Sequence, residues 1–234
     1  MAMTLSPGTY PTLRAERIEE PNRLWAIPLL GIVVKAILLI PVFIVFSVLA
    51  IVWLVLMVVN SIPVLFTGSY WHPAYDLTLG LIRLNTKIWF YLAGLTDKYP
   101  GFGLAIDDRY SLDIEYPEAP NRAFAIPILG GIVRWILLIP FYIYASVISY
   151  AAYIAAMISF VPVLFTGRYP ETTFEIIRDA VRLGTAEFAY LGGLSDRYPS
   201  FAISTEHGTA KIFLIIIGAL LSLLSIVPSI AGGR

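Results

Sequence analysis

The stretch that decides the fold runs from Leu24 to Phe66, LWAIPLLGIVVKAILLIPVFIVFSVLAIVWLVLMVVNSIPVLF, and carries one charge, Lys35. From Ala123 to Phe165 the pattern returns as AFAIPILGGIVRWILLIPFYIYASVISYAAYIAAMISFVPVLF, again with one charge, Arg134. As a single helix each run is about 64 Å long at about 1.5 Å per residue, against a hydrocarbon core about 30 Å thick that about 20 residues cross. That length excludes one straight span. Either the run folds into two arms near Pro41, or an interfacial lead-in bends at Pro41 into one span. Proline removes an amide donor and clashes with the preceding turn, so it supplies a cause for a bend.

The two runs belong to a longer duplication. Pro21-Asn22-Arg23 recurs as Pro120-Asn121-Arg122, an offset of 99 residues that holds without a gap from 21–104 to 120–203, with about 35 identities in 84 pairs. Ile37-Leu38-Leu39-Ile40-Pro41 returns as Ile136-Leu137-Leu138-Ile139-Pro140, and Pro63-Val64-Leu65-Phe66-Thr67-Gly68 as Pro162-Val163-Leu164-Phe165-Thr166-Gly167. Leu95-Thr96-Asp97-Lys98-Tyr99-Pro100 returns as Leu194-Ser195-Asp196-Arg197-Tyr198-Pro199. Asn-Arg before the apolar run, Ile-Pro inside it, Leu-Phe-Thr-Gly-x-Tyr at its end and Asp-[Lys/Arg]-Tyr-Pro beyond the next helix resemble a bacterial membrane family, domain of unknown function 4389, in two tandem copies. Arg168-Tyr169-Pro170 fits the pattern closely, and Ser69-Tyr70-Trp71 departs from it. The resemblance implies a membrane setting and no particular reaction.

Composition agrees. Of 234 residues, 58% are hydrophobic and 14% charged, where a soluble domain runs about 45–50% and about 25%; mean hydropathy is +0.79. The 16 basic and 16 acidic side chains cancel, so there is no basic field to hold nucleic acid. The absence of cysteine removes disulfides, thiolate nucleophiles and Cys-ligated metals. Residues 1–23 lack the order of a cleavable signal peptide.

A second helix is predicted over Pro73–Leu95 and again over Thr172–Leu194. Asp76, Gly80, Arg83 and Lys87 step along one stripe, as do Glu175, Asp179, Arg182 and Ala186. Five charges in the second copy, placed in hydrocarbon, cost on the order of 10–15 kcal/mol unless paired. An amphipathic helix in the interface avoids most of that, and this reading is favoured over a spanning helix with an internal polar stripe. Two gapless copies joined by one polar connector are expected to enter the membrane from the same side.

Leu112, Ile114 and Tyr116 alternate with Ser111, Asp113 and Glu115, the period of a half-buried strand. With Thr12–Glu16, Phe102–Ile106 and Phe201–Thr205, four short strands are expected to cap the repeats on one membrane side. Ile212–Ala231 is long enough for one further span. The expected fold is therefore mainly α and integral to the membrane. It tandemly repeats an apolar hairpin or kinked helix plus an amphipathic helix, with a small cytoplasmic β cap and a C-terminal transmembrane helix. The segments are 1–20 (polar, with a strand), 21–104 (first repeat), 105–119 (β connector), 120–203 (second repeat) and 204–234 (C-terminal helix). Positive-inside bias from Arg14, Arg17, Arg23, Lys98, Arg109, Arg122, Arg197 and Lys211 puts the N-terminus and connector in the cytoplasm of a bacterial inner membrane, with Arg234 outside.

For chemistry the sequence offers little. Of two histidines, His72 is replaced by Glu171 in the copy and His207 precedes the last span. No phosphate loop, HExxH, GxSxG or metal-ligand spacing occurs, so neither catalysis nor a cofactor or metal is expected. Thr67-Gly68 and Thr166-Gly167 read as helix stops, and Asp97 and Asp196 as solvated turn charges. Arg83 and Arg182, with Lys87, are the candidate contacts to anionic lipid or to a partner carboxylate; their plain alternatives are structural ion pairs and snorkelling. The leading functional expectation is a non-catalytic membrane scaffold or accessory subunit, bound to other membrane subunits or to itself. Membrane shaping by hydrophobic hairpins is the alternative, and a small channel or transporter a weaker one.

Overall fold

The computed structural model describes residues 10–15, 22, 30–105, 110–204 and 208–231. Strand β1 (Thr12–Ala15) precedes helices α1 (Leu30–Thr67) and α2 (His72–Leu92). Strand β2 (Tyr110–Asp113) and a short 3-10 turn (Arg122–Ala125) lead into α3 (Leu129–Thr166), α4 (Glu171–Leu191) and α5 (Gly208–Ala231).

Helices α1 and α3 each run 38 residues without a break, through Pro41 and Pro63 and through Pro140 and Pro162. The two-armed fold at Pro41 is thereby corrected. Val42-Phe43-Ile44 follow Pro41, with no glycine, asparagine or aspartate to turn the chain, so the helix continues one hydrogen bond short. In the second copy the bend comes earlier. The 3-10 turn ends at Ala125, Ile128 takes φ 67°, and α3 starts at Leu129. The matching residues 23–29 lie outside the described residues. Both long helices stop as the sequence predicts: Gly68 and Gly167 adopt positive φ and donate to Val64 and Val163 carbonyls.

Each long helix is followed by a shorter one folded back along it. Leu39 and Val42 pack with Leu84, Ile88 and Tyr91, and their counterparts Leu138 and Phe141 pack with Leu183 and Tyr190. The duplication is thus a duplication of packing, 99 residues apart.

Among the described residues the sheet has two strands, β1 and β2, paired antiparallel with Leu13 opposite Leu112. Residues 102–105 and 201–204 are not strands. Helix side chains take their backbone groups instead: Lys87 donates to the Gly103 carbonyl at 3.0 Å, Arg182 to the Ala202 carbonyl, and the Ser204 amide donates to Asp179 at 2.9 Å. Nor does the sheet cap one end. Tyr110 stacks edge-on to Phe90 at 5.2 Å near the end of α2, whereas Tyr75, in the first turn of α2, donates to the Ile114 carbonyl and Tyr116 donates to the Tyr70 carbonyl. The connector retraces α2 from its last turn to its first.

That path sets the two repeats antiparallel. Gly192, just past α4, packs on Thr78 early in α2. Trp53 meets Phe188 at 5.8 Å and Trp89 meets Tyr153 at 6.3 Å, near-equivalent pairs under exchange of the copies. The pseudo-two-fold axis is perpendicular to the helices. The sheet packs on α2 and α4 through Leu13, Tyr110, Leu112 and Ile114, and α1 and α3 pack on the same two helices.

Helix α5 lies on α3 alone among the long helices. A Cβ on Gly218 would fall 2.5 Å from the Val147 carbonyl oxygen, and Ser146 and Ser222 hydroxyls are 3.1 Å apart. Ala151 and Ala152 make that approach possible; α1 carries Val52 and Trp53 at the same register and keeps an apolar outer face exposed from Ile32 to Phe66.

Candidate functional site

The recurring motifs converge where one repeat meets the other. In the second copy Arg134, buried in the first turns of α3, donates from Nη1 to the Tyr190 carbonyl at 2.5 Å and to the Ser195 carbonyl at 3.1 Å. Its Nη2 pairs with Asp196. The guanidinium also lies 4.7 Å from the Phe124 ring centre and 5.0 Å from that of Tyr190. Asp196 accepts the Asn121 amide with its other oxygen at 2.6 Å. The first copy repeats this with a longer ion pair. Lys35 stands 4.0 Å from Asp97 and 5.1 Å from the Tyr91 ring centre, and the Asn22 amide donates to Asp97 at 2.7 Å. The planar guanidinium fork reaches two carbonyls and a carboxylate together, which an ammonium on a flexible stem does less well.

Each base receives the turn of the other repeat. Tyr70 donates to the Gly192 carbonyl at 2.6 Å, and Tyr169 donates to the Ala93 carbonyl at 3.0 Å. Gly193 brings Tyr70 and Arg134 together, as Gly94 brings Tyr169 and Lys35. Arg122 lies over Gly68, so the Asn-Arg of one copy sits on the Thr-Gly turn of the other. This exchange of identical contacts is what a two-fold interface produces. Asp97 and Asp196, read from sequence as solvated turn charges, instead anchor the starts of the long helices. The signal was present: a lone cation in the apolar run and a lone aspartate past the next helix, at matching positions in both copies.

A second polar group joins α4 of the second repeat to α5. Glu175, Arg178, Asp179, Arg182 and Lys211 are each no more than 3% exposed. Lys211 pairs with Glu175 and donates to the Ser204 carbonyl at 3.1 Å, while Arg178 lies 3.4 Å from Asp179. In the first copy the positions corresponding to the four α4 residues are Asp76, which is exposed, Leu79, Gly80 and Arg83, and Lys211 lies beyond the duplicated segment. The stripe on α4 is therefore internal, buried beneath residues 202–204 and α5.

The sequence-predicted contacts fall as follows. Lys87 and Arg182 hold equivalent backbone carbonyls, at 103 and 202, one helical turn apart. Arg83 is half-buried, and its Nε has no hydrogen-bond partner among the described residues. His72 stacks on Tyr116 at 4.6 Å. Among the described residues no three His, Asp or Glu side chains gather as a metal set.

Among the described residues α1, α3 and α5 are long and apolar enough to cross a membrane by length and composition, in a mainly helical chain built by tandem duplication. The family model for domain of unknown function DUF4389 matches it twice, over residues 30–103 and 130–202. Those matches cover more than half of the chain, which belongs to that family. No curated protein and no solved structure matches it.

Proposed function

We propose that the protein is a non-catalytic membrane scaffold or accessory subunit, set at the cytoplasmic face of a bacterial inner membrane and associated with other membrane subunits. The placement rests on the connector running beside α2, and the subunit reading on the apolar face of α1 left exposed from Ile32 to Phe66. Hydrocarbon tolerates neither irregular backbone nor open sheet edges facing lipid, so α2, α4 and the sheet belong at the water side, with α1, α3 and α5 toward lipid. In that setting the pseudo-two-fold axis lies along the membrane normal, α1, α3 and α5 lie along the membrane plane in place of the expected crossings, and both copies meet the bilayer from the same side although their helices are antiparallel. The basic bases of both repeats then lie at one surface, in keeping with positive-inside bias. The exterior placement of Arg234 falls outside the described residues. The buried charges at the junction and on α4 hold the fold together, and the apolar outer face of α1 is open to lipid or to a partner.

Membrane shaping is the second reading, because an apolar layer under an interfacial layer is a wedge for one leaflet. The test is gentle purification from native membranes with identification of everything that co-purifies. A stoichiometric partner is the expected result. A lone protein that tubulates liposomes overturns the subunit reading in favour of shaping.

A further inference from the structure

We propose that the slot between the repeats takes an acyl chain of an anionic membrane lipid, with the lipid phosphate on Arg122. The slot has a volume of about 300 Å³, well above the roughly 10–15 Å³ that one water needs. That is a stretch of chain and not a whole lipid. Trp53, Met57 and Val58 of α1 form one wall, and Phe124, Ile126 and Ile128 of the lead-in to α3 the other.

The polar groups along the slot are already engaged. The Asn60 side-chain oxygen accepts the Trp71 amide at 2.7 Å, the Ser61 hydroxyl donates to the Val58 carbonyl, the Tyr70 hydroxyl to the Gly192 carbonyl, and Arg134 is paired with Asp196. What the slot offers its occupant is hydrocarbon. Ile128 is held at φ 67° and ψ −56°, in a turn closed by the Leu129 amide on the Pro127 carbonyl at 2.7 Å, and is 77% exposed. A β-branched residue adopts that conformation only under constraint.

Next to the lining residue Asn121 the chain carries a cation. Arg122 is exposed, stands between the lining residues Asn121 and Phe124, and has no hydrogen-bond or ion-pair partner among the described residues. Its guanidinium is seated against the Gly68 turn, where a Cβ would fall 2.9 Å from Nη2. A planar fork placed beside an apolar slot suits a phosphate that carries a chain.

The test is native mass spectrometry of the full chain in detergent, with phosphatidylglycerol, phosphatidylcholine or inorganic phosphate added. Phosphatidylglycerol is expected to be retained about tenfold over phosphatidylcholine, the equivalent of about 1.4 kcal/mol, and inorganic phosphate not to be retained. Met57→Trp, which fills the slot, and Val58→Phe, which narrows it more gently, should each lower phosphatidylglycerol retention. Arg122→Gln should bring it to the phosphatidylcholine level. Circular dichroism melting of each variant identifies those that stay folded. Equal retention of the two lipids overturns the proposal. So does retention of inorganic phosphate, or a loss with Arg122→Gln that neither slot-filling variant reproduces, which places the headgroup on the surface without the chain.

Discussion

Tyr70 of the first repeat donates its hydroxyl hydrogen to the Gly192 carbonyl of the second at 2.6 Å, and Tyr169, 99 residues later, returns the contact to the Ala93 carbonyl at 3.0 Å. Each hydroxyl closes a helix end of the opposite repeat, so each phenylalanine variant leaves an acceptor unsatisfied. Tyr70→Phe and Tyr169→Phe are each expected to cost about 1–3 kcal/mol, read as a lowered melting temperature in detergent. Burial pushes the Tyr169 hydroxyl up to about 12 and that of Tyr70 higher still. The folded state favours the neutral phenols, so their contribution holds below the ordinary tyrosine value of about 10 and is lost as pH rises through the folded value. An unfolding series between about pH 10 and 12 should show stability falling in the wild type and falling less in Tyr169→Phe.

The two base ion pairs occupy equivalent positions and are unequal in geometry. Arg134 reaches two carbonyls and Asp196; Lys35 stands 4.0 Å from Asp97. Asp196→Asn is expected to cost about 2–3 kcal/mol, below the full range for a buried pair because Asp196 is partly exposed. Asp97→Asn is expected to cost less. Equal losses in thermal unfolding of the two variants would show that the additional Arg134 contacts contribute nothing.

Both the duplication and the helix stops were legible because internal repetition and glycine caps are local signals. Internal burial of the α4 stripe was not. Glu175, Asp179 and Arg182 on one face look the same whether that face meets headgroups or Lys211 of a later helix. The strands expected at 102–106 and 201–205 alternate correctly, yet their backbone partners are Lys87, Arg182 and Asp179, and strand periodicity carries no record of that competition. The antiparallel placement of the copies depends on how far the connector travels, which no repeat alignment records.

That placement separates a surface layer from a spanning bundle. Ser69 in the α1–α2 turn and Lys98 past α2 are both exposed and lie at opposite ends of the same helical pair. With no native cysteine to compete, Ser69→Cys and Lys98→Cys can be labelled singly in sealed inverted and right-side-out vesicles. The surface arrangement predicts labelling of both from the cytoplasmic side. Labelling from opposite sides would mean that the pair crosses the bilayer, and would remove the main support for a water-facing sheet.

Arg83 and Arg182 are equivalent by position and differ in surroundings. Arg182 is buried and holds the Ala202 carbonyl, whereas Arg83 is half-buried and Lys87 holds the matching carbonyl. Arg182→Gln should therefore lower stability by about 2–3 kcal/mol without changing bound lipid. Arg83→Gln should reduce retained anionic lipid or partner with little effect on melting. Unchanged retention in Arg83→Gln would mean that this arginine is structural as well.

The buried pair between Lys211 and Glu175 ties α5 to α4, and both side chains are almost fully excluded from solvent. Removing one partner of such a pair strands a charge and costs about 3–5 kcal/mol, whereas replacing both by neutral groups costs far less. Lys211→Met is expected to loosen α5 first, because its remaining hold on α3 is close packing at Gly218 and the Ser146–Ser222 contact. Hydrogen exchange should then accelerate across 208–225 while α1 and α2, which take no part in the pair, keep their protection. Adding Glu175→Gln to Lys211→Met should restore much of the lost protection, a coupling that a purely packing role for Lys211 does not give. If the double variant exchanges as fast as Lys211→Met alone, the ion pair is not what holds α5 in place.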